Sequence, residues 1–251
     1  MRKVMLILAI ETTGKHASAA VIDGDGNCFC AQSEGEMNHL REIITLSDTA
    51  LSKAGKMKRE LSHIAASVGP GSFTGIRIGV TTAKTLAQMF DIPCIGVSSL
   101  EAMAAGISCD ERYKSCELIV PMINARRQQI YSGIWQNSTD LPLIKLNEDR
   151  QYMIEEMLEV LSSEHKGRVC FTGDGIDAYD DIIKAGMKDF ILADKEARYQ
   201  NAENVAVLAA IKAKAGEIIH YNDLFPDYMR LAEAEQRRRE GTLSSRIKNL
   251  Q

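Results

Sequence analysis

The chain has 251 residues, of which 45% are hydrophobic and 25% charged, with a formal net charge of −4 at pH 7. This composition is typical of a globular protein and predicts one large domain or two small ones. The slightly acidic balance argues against a protein that binds nucleic acid by itself through a broad basic surface, although it leaves work on RNA within a complex open.

Three short strands are predicted at the N-terminus, at 4–10, 17–22 and 27–33. A polar turn at 11–14 separates the first two strands, and the Asp-Gly-Asp-Gly sequence at 23–26 predicts a hairpin between the second and third. The first apolar run is too short to span a membrane and is not followed by a cleavage site, so we expect a buried strand and no membrane segment.

An amphipathic helix is predicted over 38–54, with Asn38 as its N-cap and Gly55 just beyond its end. Its apolar positions are broad for a half-buried helix, which predicts contact on a second side. They are Leu40, Ile43, Ile44, Leu46, Ala50 and Leu51.

The segment Gly-Pro-Gly-Ser-Phe-Thr-Gly-Ile-Arg-Ile-Gly at 69–79 joins a strand at 64–68 to a helix that reaches residue 90. Small residues recur there at every fourth position and form one stripe. They are Gly71, Gly75, Gly79, Ala83 and Ala87. A glycine inside a helix costs roughly 0.8–1 kcal/mol relative to alanine, so the stripe predicts close approach of another backbone.

Two explanations of the stripe remain open, a second helix packed against it and an anion bound at the helix N-terminus. The length of the stripe favours the helix. The glycine spacing matches neither the P-loop nor the dinucleotide fingerprint.

The first half continues with a strand at 94–97 and a helix from Ser98 to about residue 107, and a polar break follows at 110–114. The second half then restarts with strands and continues with alternating helices and strands, which predicts mixed sheets with helices on their faces and an internal duplication. The predicted elements are strands at 118–124, 129–136 and 143–146, a helix at 152–161, a strand at 168–172, a helix at 178–184, a strand at 190–192 and a helix at 202–215.

The predicted organisation is a first lobe at 1–110, a second lobe at 111–229 and a charged tail at 230–251. The tail is expected to be a solvated helical end, the alternative being an arm that touches RNA or an acidic partner. The six cysteines form no C-x-x-C pair, and we expect free thiols in a reducing cytoplasm. They are Cys28, Cys30, Cys94, Cys109, Cys116 and Cys170.

The chain resembles the TsaB (YeaZ) family over almost its whole length. The segment 69–79 matches the family's hallmark almost letter for letter, and 7–13 and 96–102 resemble its opening strand with turn and the segment after the hallmark. Later signatures are similar at 125–127 with Tyr131, at 173–175 and at 226–230, although Asn124 stands where an Asp is usual. The resemblance implies an α/β, actin-like (sugar kinase/Hsp70-like) fold of two lobes, each with a mixed β-sheet flanked by helices.

The resemblance also implies a non-catalytic subunit for formation of N6-threonylcarbamoyladenosine (t6A) at position 37 of tRNAs reading codons that start with A. The implied partners are the transferase TsaD, which carries the metal, the small ATPase TsaE, and tRNA through the complex. We also expect a homodimer when the chain is alone. The residues expected to bind a partner are Leu40, Ile43, Ile44, Gly71, Gly75, Arg77, Gly79 and Ala83.

The residues themselves argue against chemistry in this chain. The catalytic relative holds its metal with a His-x-x-x-His pair on one helix face. Here His39 lies on the corresponding helix, but Ile43 occupies the second position and no two histidines lie three or four apart. A G-x-S-x-G turn is also missing. We therefore expect neither a metal site nor a catalytic residue.

A nucleotide cleft is a weaker expectation, with ATP or ADP bound there or at a partner interface. In actin-like proteins the turn after the first strand cradles phosphates, and Thr12, Thr13 and Gly14 occupy that place here. A second phosphate loop is proposed at Gly173, Asp174 and Gly175, the alternative being an ordinary strand-ending turn. An alternative function is an ATP-dependent phosphotransferase of the sugar-kinase type, for which Glu11 and Asp174 are the carboxylate candidates.

Overall fold

A computed structural model describes residues 4–35 and 39–229 of the chain. Two mixed β-sheets, each flanked by helices, form two lobes, which confirms the predicted fold class. No helix within the described residues has the length and apolar character needed to cross a bilayer. The predicted N-cap Asn38 and the tail at 230–251 lie outside the described residues.

The first sheet has the strand order β3-β2-β1-β4-β5. Its strands are β1 (Leu6–Glu11), β2 (Ser18–Asp23), β3 (Cys28–Gln32), β4 (His63–Gly69) and β5 (Cys94–Ser98). Alternate residues of β1 point to opposite faces, as a strand requires. Leu8 and Ile10 face α1 (His39–Lys53) and α2 (Phe73–Phe90), whereas Ile7 and Ala9 face α7 (Ala202–Ala215).

The second sheet has the order β11-β10-β6-β7-β9. Its strands are β6 (Leu118–Arg126), β7 (Gln129–Ser132), β8 (Trp135–Gln136), β9 (Arg150–Met153), β10 (Val169–Thr172) and β11 (Phe190–Leu192), with β8 paired to the start of β6. Helices α4 (Ile154–Glu164) and α5 (Gly175–Gly186) pack on one face. Helix α3 (Ser99–Ser108) packs on the other face, and the short α6 (Lys195–Arg198) precedes α7.

The two sheets repeat one topology, which confirms the predicted duplication. When the two-residue strand β8 is left out of the count, the first strand of each sheet pairs antiparallel with the second and parallel with the fourth, and the fourth pairs parallel with the fifth. The helix that ends each half crosses to the sheet of the other half, so α3 covers the second sheet and α7 covers the first.

This exchange means that helices on either side of residue 110 pack across the predicted lobe boundary there, and the predicted boundaries at 110 and 229 stay predictions. Helix α3 packs mainly with the second lobe although it lies before residue 110. Helix α7 and the segment after it pack with the first lobe, where the backbone of Ile219 pairs with Cys94 and the side chain of Leu224 is buried.

The predicted strands at 129–136 and 143–146 are corrected. The predicted strand at 129–136 is interrupted after Ser132. The backbone N–H of Ile134 donates to the side chain of Asn147 at 2.6 Å and is therefore not paired with β6. The second is reduced to one bridge between Lys145 and Trp135. Strand β9 takes the position beside β7 instead.

The close approach predicted for the glycine stripe is confirmed, but the approaching backbone belongs to this chain's own turn after β1. A Cβ atom on Gly75 would lie 2.0 Å from the carbonyl oxygen of Thr12, and one on Gly71 would lie 2.6 Å from that of Thr13. The hydroxyl of Thr12 donates to the Gly75 carbonyl at 2.7 Å, and the Ser72 N–H donates to the Thr13 carbonyl at 2.9 Å. The stripe therefore fastens the start of α2 to the end of β1.

We predict that Gly75→Ala lowers the free energy of unfolding. Overpacking against a backbone carbonyl costs about 1–3 kcal/mol, and this exceeds the roughly 1 kcal/mol that alanine gains in helix propensity. Urea unfolding followed by circular dichroism measures the change. Gly35→Ala is the matched control because a Cβ atom there meets nothing within 4 Å. Equal midpoints for the two variants would contradict the packing of the turn against α2.

Candidate functional site

A cleft of about 1130 Å³ lies between the two lobes. It is lined by the turns that follow β1 and β6 and by the first residues of α2 and α5, so it lies at the carboxyl ends of parallel strands in both sheets, where ligands bind in open α/β folds. Its lining residues include Thr13, Gly14, Lys15, His39, Arg41, Ser72, Thr74, Asn124, Arg126, Asp174, Asp177 and Gln200.

Glu11 ends β1 beneath the cleft and is fully buried. Its Oε1 atom accepts hydrogen bonds from the backbone N–H of Thr13 at 2.5 Å and from the Thr13 hydroxyl at 2.6 Å. Its Oε2 atom is buried without a hydrogen-bond partner among the described residues. Burial raises the pKa of this carboxyl, and the hydrogen bonds from Thr13 offset part of that rise.

A chain of buried hydroxyl groups continues from this carboxylate into the protein. The Oγ atom of Ser99 lies 3.1 Å from Oγ1 of Thr13 and 2.7 Å from Oγ of Ser67. Ser99 starts α3, the helix that crosses to the second lobe, and Ser67 belongs to β4. The network therefore ties the turn after β1 to the junction of the lobes.

The turn at Gly14 is covered by two side chains that are distant in sequence. Gln200 is only 4% exposed, and a Cβ atom on Gly14 would lie 2.6 Å from its Oε1 atom. His39 places Nε2 3.0 Å from the Gly14 carbonyl oxygen. The surface on which a phosphate would rest is thus already occupied by this chain's own side chains.

The second lobe repeats the same close packing. A Cβ atom on Gly173 would lie 2.1 Å from the carbonyl oxygen of Met122, and one on Gly175 would lie 2.8 Å from the Met122 Cβ. Asp174 stands at the start of α5, and its Oδ1 atom accepts from the backbone N–H of Asn124 at 2.8 Å. Burial raises the pKa of Asp174. Because these glycines have no side chain, the backbone of β6 packs directly against them, just as the turn after β1 packs against the glycines of α2.

The fold class implies a magnesium–nucleotide site, and the predicted residues do not fit one. The carboxylate of Glu11 bonds Thr13 beneath the surface of the cleft, and the hydroxyl of Thr12 is directed to Gly75. The Gly14 turn is covered, and Asp174 bonds the backbone of the neighbouring strand. Within 4–35 and 39–229, no cluster of three His, Cys, Asp or Glu side chains has the arrangement of a metal site.

The residues predicted to bind a partner divide into buried and exposed sets. Ile43, Gly75, Gly79 and Ala83 are buried inside the first lobe, so in this conformation they hold α1 and α2 on the sheet rather than face a second molecule. The others lie at the surface, where Gly71 is half-buried and the other three are exposed. They are Leu40, Ile44, Gly71 and Arg77.

Arg77 is fixed on the surface of α2 by two aromatic residues. Its guanidinium lies 4.0 Å from the ring centre of Phe73, and its Nε donates to the hydroxyl of Tyr228 at 2.9 Å. The rings of Phe73 and Tyr228 lie 4.9 Å apart. No local pattern indicates the contact of Tyr228 with Arg77 or of Gln200 with Gly14, because each pair is more than 140 residues apart.

We predict that Glu11→Gln changes how stability depends on pH. Because the folded-state pKa of Glu11 is raised above its ordinary value of 4.5, the folded protein holds the proton more tightly. The stability from this group is complete below pH 4.5 and is lost as the pH rises through the folded-state pKa. Glutamine keeps the oxygen that accepts from Thr13 and carries no charge.

Urea unfolding of both proteins between pH 4 and 8 measures this effect. The free energy of unfolding of Glu11→Gln minus that of the wild type should rise over the interval above pH 4.5, because titration of other groups cancels in the difference. A difference that stays flat or falls would show that the buried carboxyl has no raised pKa.

Comparisons with known proteins agree with this architecture. Residues 33–237 match the family model described as TsaD, tRNA N6-adenosine threonylcarbamoyltransferase. The chain is 35% identical over 234 residues to the tRNA threonylcarbamoyladenosine biosynthesis protein TsaB of Bacillus subtilis, which covers 92% of this chain and 96% of that protein. The Escherichia coli protein of the same name is 28% identical over 235 residues, covering 90% and 95%.

The solved structure of YeaZ from Pseudomonas aeruginosa matches with a TM-score of 0.76 at 22% identity, over 89% of this chain and 99% of that chain. At that identity the likeness shows the fold. The identity and coverage of the Bacillus subtilis relative show more than the fold, and the chain belongs to the TsaB family.

Proposed function

We propose that this chain is a non-catalytic subunit of the machinery that makes t6A at position 37 of tRNAs reading codons that start with A. It binds a TsaD-like transferase, and a TsaE-like ATPase and tRNA join through the complex. The TsaB relatives, named for biosynthesis of this nucleoside, support the role in t6A formation. The match to the TsaD model supports descent from a fold shared with the transferase.

One observation carries the non-catalytic part of the proposal. Glu11, a candidate for chemistry, bonds to Thr13, and the Thr12 hydroxyl of the expected phosphate turn bonds to α2. A general base must lie within hydrogen-bond reach of its substrate. Nothing in the described arrangement favours the sugar-kinase alternative, since Asp174 also bonds its own lobe.

The outer face of α1 and the start of α2 supports docking to a partner. Leu40 is 70% exposed and Ile44 is 44% exposed, and they lie one turn apart on α1. Leu40 of α1 and Ile78 of α2 both line the cleft, and Arg77, which lies over the Phe73 ring, directly precedes Ile78 on α2. Apolar anchors next to an ordered arginine and an aromatic ring are characteristic of the centres of protein interfaces.

We predict that Ile44→Glu weakens binding to a TsaD-like transferase at least about tenfold, because a charge would be buried at the centre of the contact. Ile144→Glu is the matched control, since Ile144 is an exposed isoleucine of the second lobe. Isothermal titration with the transferase measures both. If the two variants bind as the wild type does, or lose binding equally, the docking face lies elsewhere.

We also propose that this face of α1 and α2 forms a homodimer when the transferase is absent. Two copies related by a two-fold axis would each bury the exposed apolar patch of the other. Light scattering at micromolar concentration should give the mass of a dimer for the wild type and for Ile144→Glu, and of a monomer for Ile44→Glu. A monomeric wild type would contradict the proposed homodimer and would leave the proposed contact with the transferase unaffected.

A further inference from the structure

We infer that Cys116 and Cys170 form an oxidisable dithiol, which reduces a hydroperoxide and joins its two sulfur atoms in a reversible disulfide. The pair lies in the second lobe, where Cys116 stands two residues before β6 and Cys170 belongs to β10. The bond would fasten the segment between α3 and β6 to β10. This site goes beyond the proposed docking function, which involves no change of covalent structure.

The two cysteines meet on the face of the second sheet that α3 covers. Strands β6 and β10 are parallel neighbours, and Ile119 stands opposite Cys170. The backbone N–H of Glu117 donates to the carbonyl oxygen of Arg168 at 2.9 Å, which holds the residue after Cys116 beside the start of β10. Both cysteines belong to the buried cluster that contains Ile119, and their side chains are hydrogen-bonded to each other.

The groups around Cys116 favour its thiolate form. The thiol of Cys170 donates to its sulfur and is the main reason that the pKa of Cys116 is lowered. The positive charge of Arg168 and the hydroxyl of Ser115 act in the same direction, against burial and the charge of Glu117. The thiolate is the form of cysteine that attacks an oxidant, and a neighbouring arginine is a usual cause of its stability.

Cys170 has the opposite environment. It is fully buried, and its hydrogen bond to Cys116 together with burial raises its pKa. Cys170 therefore keeps its proton while Cys116 accepts the hydrogen bond. These are the properties of a thiol that resolves an oxidised neighbour, because a sulfenic acid condenses with an adjacent thiol to give a disulfide.

The cysteines outside this pair lack that activation. All six cysteines are free thiols, and burial raises the pKa of the other four. They are Cys28, Cys30, Cys94 and Cys109. Cys109 is exposed to solvent, so it separates simple access to an oxidant from activation of the sulfur.

Access to Cys116 is available at the edge of the lobe. The residue is 3% exposed, but Ser115 and Glu117 on either side of it are exposed. A small displacement of this turn is enough for a molecule as small as hydrogen peroxide to reach the sulfur.

The reaction is a two-electron exchange. The proton of Cys116 passes to solvent, and its thiolate attacks one oxygen of the hydroperoxide. The S–O bond forms, the O–O bond breaks, and the departing alkoxide takes a proton from solvent to leave as an alcohol. The sulfur of Cys170 then attacks the sulfenic sulfur of Cys116, so that the S–S bond forms, the S–O bond breaks, and the hydroxide leaves as water with the proton of Cys170. Two thiols are oxidised and one hydroperoxide is reduced.

Brief treatment of the reduced full chain with hydrogen peroxide, stopped with catalase, tests the inference. Free thiols are counted in denaturant, and peptides are mapped by mass spectrometry before and after reduction with dithiothreitol. We expect the thiol count to fall from six to about four per chain, with a linked pair of peptides that contain Cys116 and Cys170. Dithiothreitol should restore all six thiols.

Three serine variants, each checked for folding by circular dichroism, assign the roles. Cys170→Ser should stop at a sulfenic acid on Cys116 that dimedone labels, and Cys116→Ser should lose thiols at least about tenfold more slowly than the wild type. Cys109→Ser is the matched control and should form the disulfide within about twofold of the wild-type rate.

The map of the wild-type chain decides the question even if a variant does not fold. The inference is overturned if Cys109 or another cysteine is oxidised before Cys116, or if the linked peptides form only after the chain is unfolded in urea. It is also overturned if folded Cys116→Ser loses thiols at the wild-type rate.

Discussion

The turn after β1 is seated directly on the first two turns of α2, and the rest of the site depends on this contact. The carbonyl oxygen of Thr12 occupies the space where a Cβ atom of Gly75 would be, so a side chain there would separate the helix from the strand. The same contact fixes Thr13, whose N–H and hydroxyl hold the buried carboxylate of Glu11. In this arrangement the polar groups that an actin-like enzyme would offer to a nucleotide serve the structure of the lobe.

The duplicated topology explains where the cleft lies and why it has two similar walls. Each lobe places a turn after its first strand, β1 or β6, at the same edge as a helix N-terminus, that of α2 after β4 or of α5 after β10, and α3 and α7 are exchanged between the two sheets. Each wall carries one arginine, Arg41 on the first lobe and Arg126 on the second, and the carboxylates of the second-lobe wall are engaged within that lobe.

Most elements of the fold follow from the sequence, because apolar periodicity and turn residues report local structure directly. Helix α7 and strand β11 have the bounds that the sequence predicts. Ser98 caps α3 as expected, and its hydroxyl accepts a hydrogen bond from the backbone N–H of Glu101. The lobe to which α3 and α7 belong could not be predicted, since an apolar helix face does not say which sheet it covers.

The candidate site was predictable in part. Four-residue spacing of glycines predicts close approach correctly, but the same pattern arises whether the approaching backbone is a partner helix or the chain's own turn at Thr12. The burial of Gly75 and Gly79 follows from that turn. The contributions of Gln200 and Tyr228 were out of reach, because side chains that meet across the fold leave no local pattern in the sequence.

The central claim is that this chain supports t6A formation while the reactive groups lie in its partner. The most direct measurement is a reconstituted reaction with the TsaD-like transferase, the TsaE-like ATPase, a supply of threonylcarbamoyl adenylate and tRNA, from which each protein is omitted in turn. The account predicts that modified tRNA is lost when this chain is omitted and is also absent when this chain is the sole protein. Modification of tRNA by this chain without the transferase, or full activity in its absence, would contradict the account.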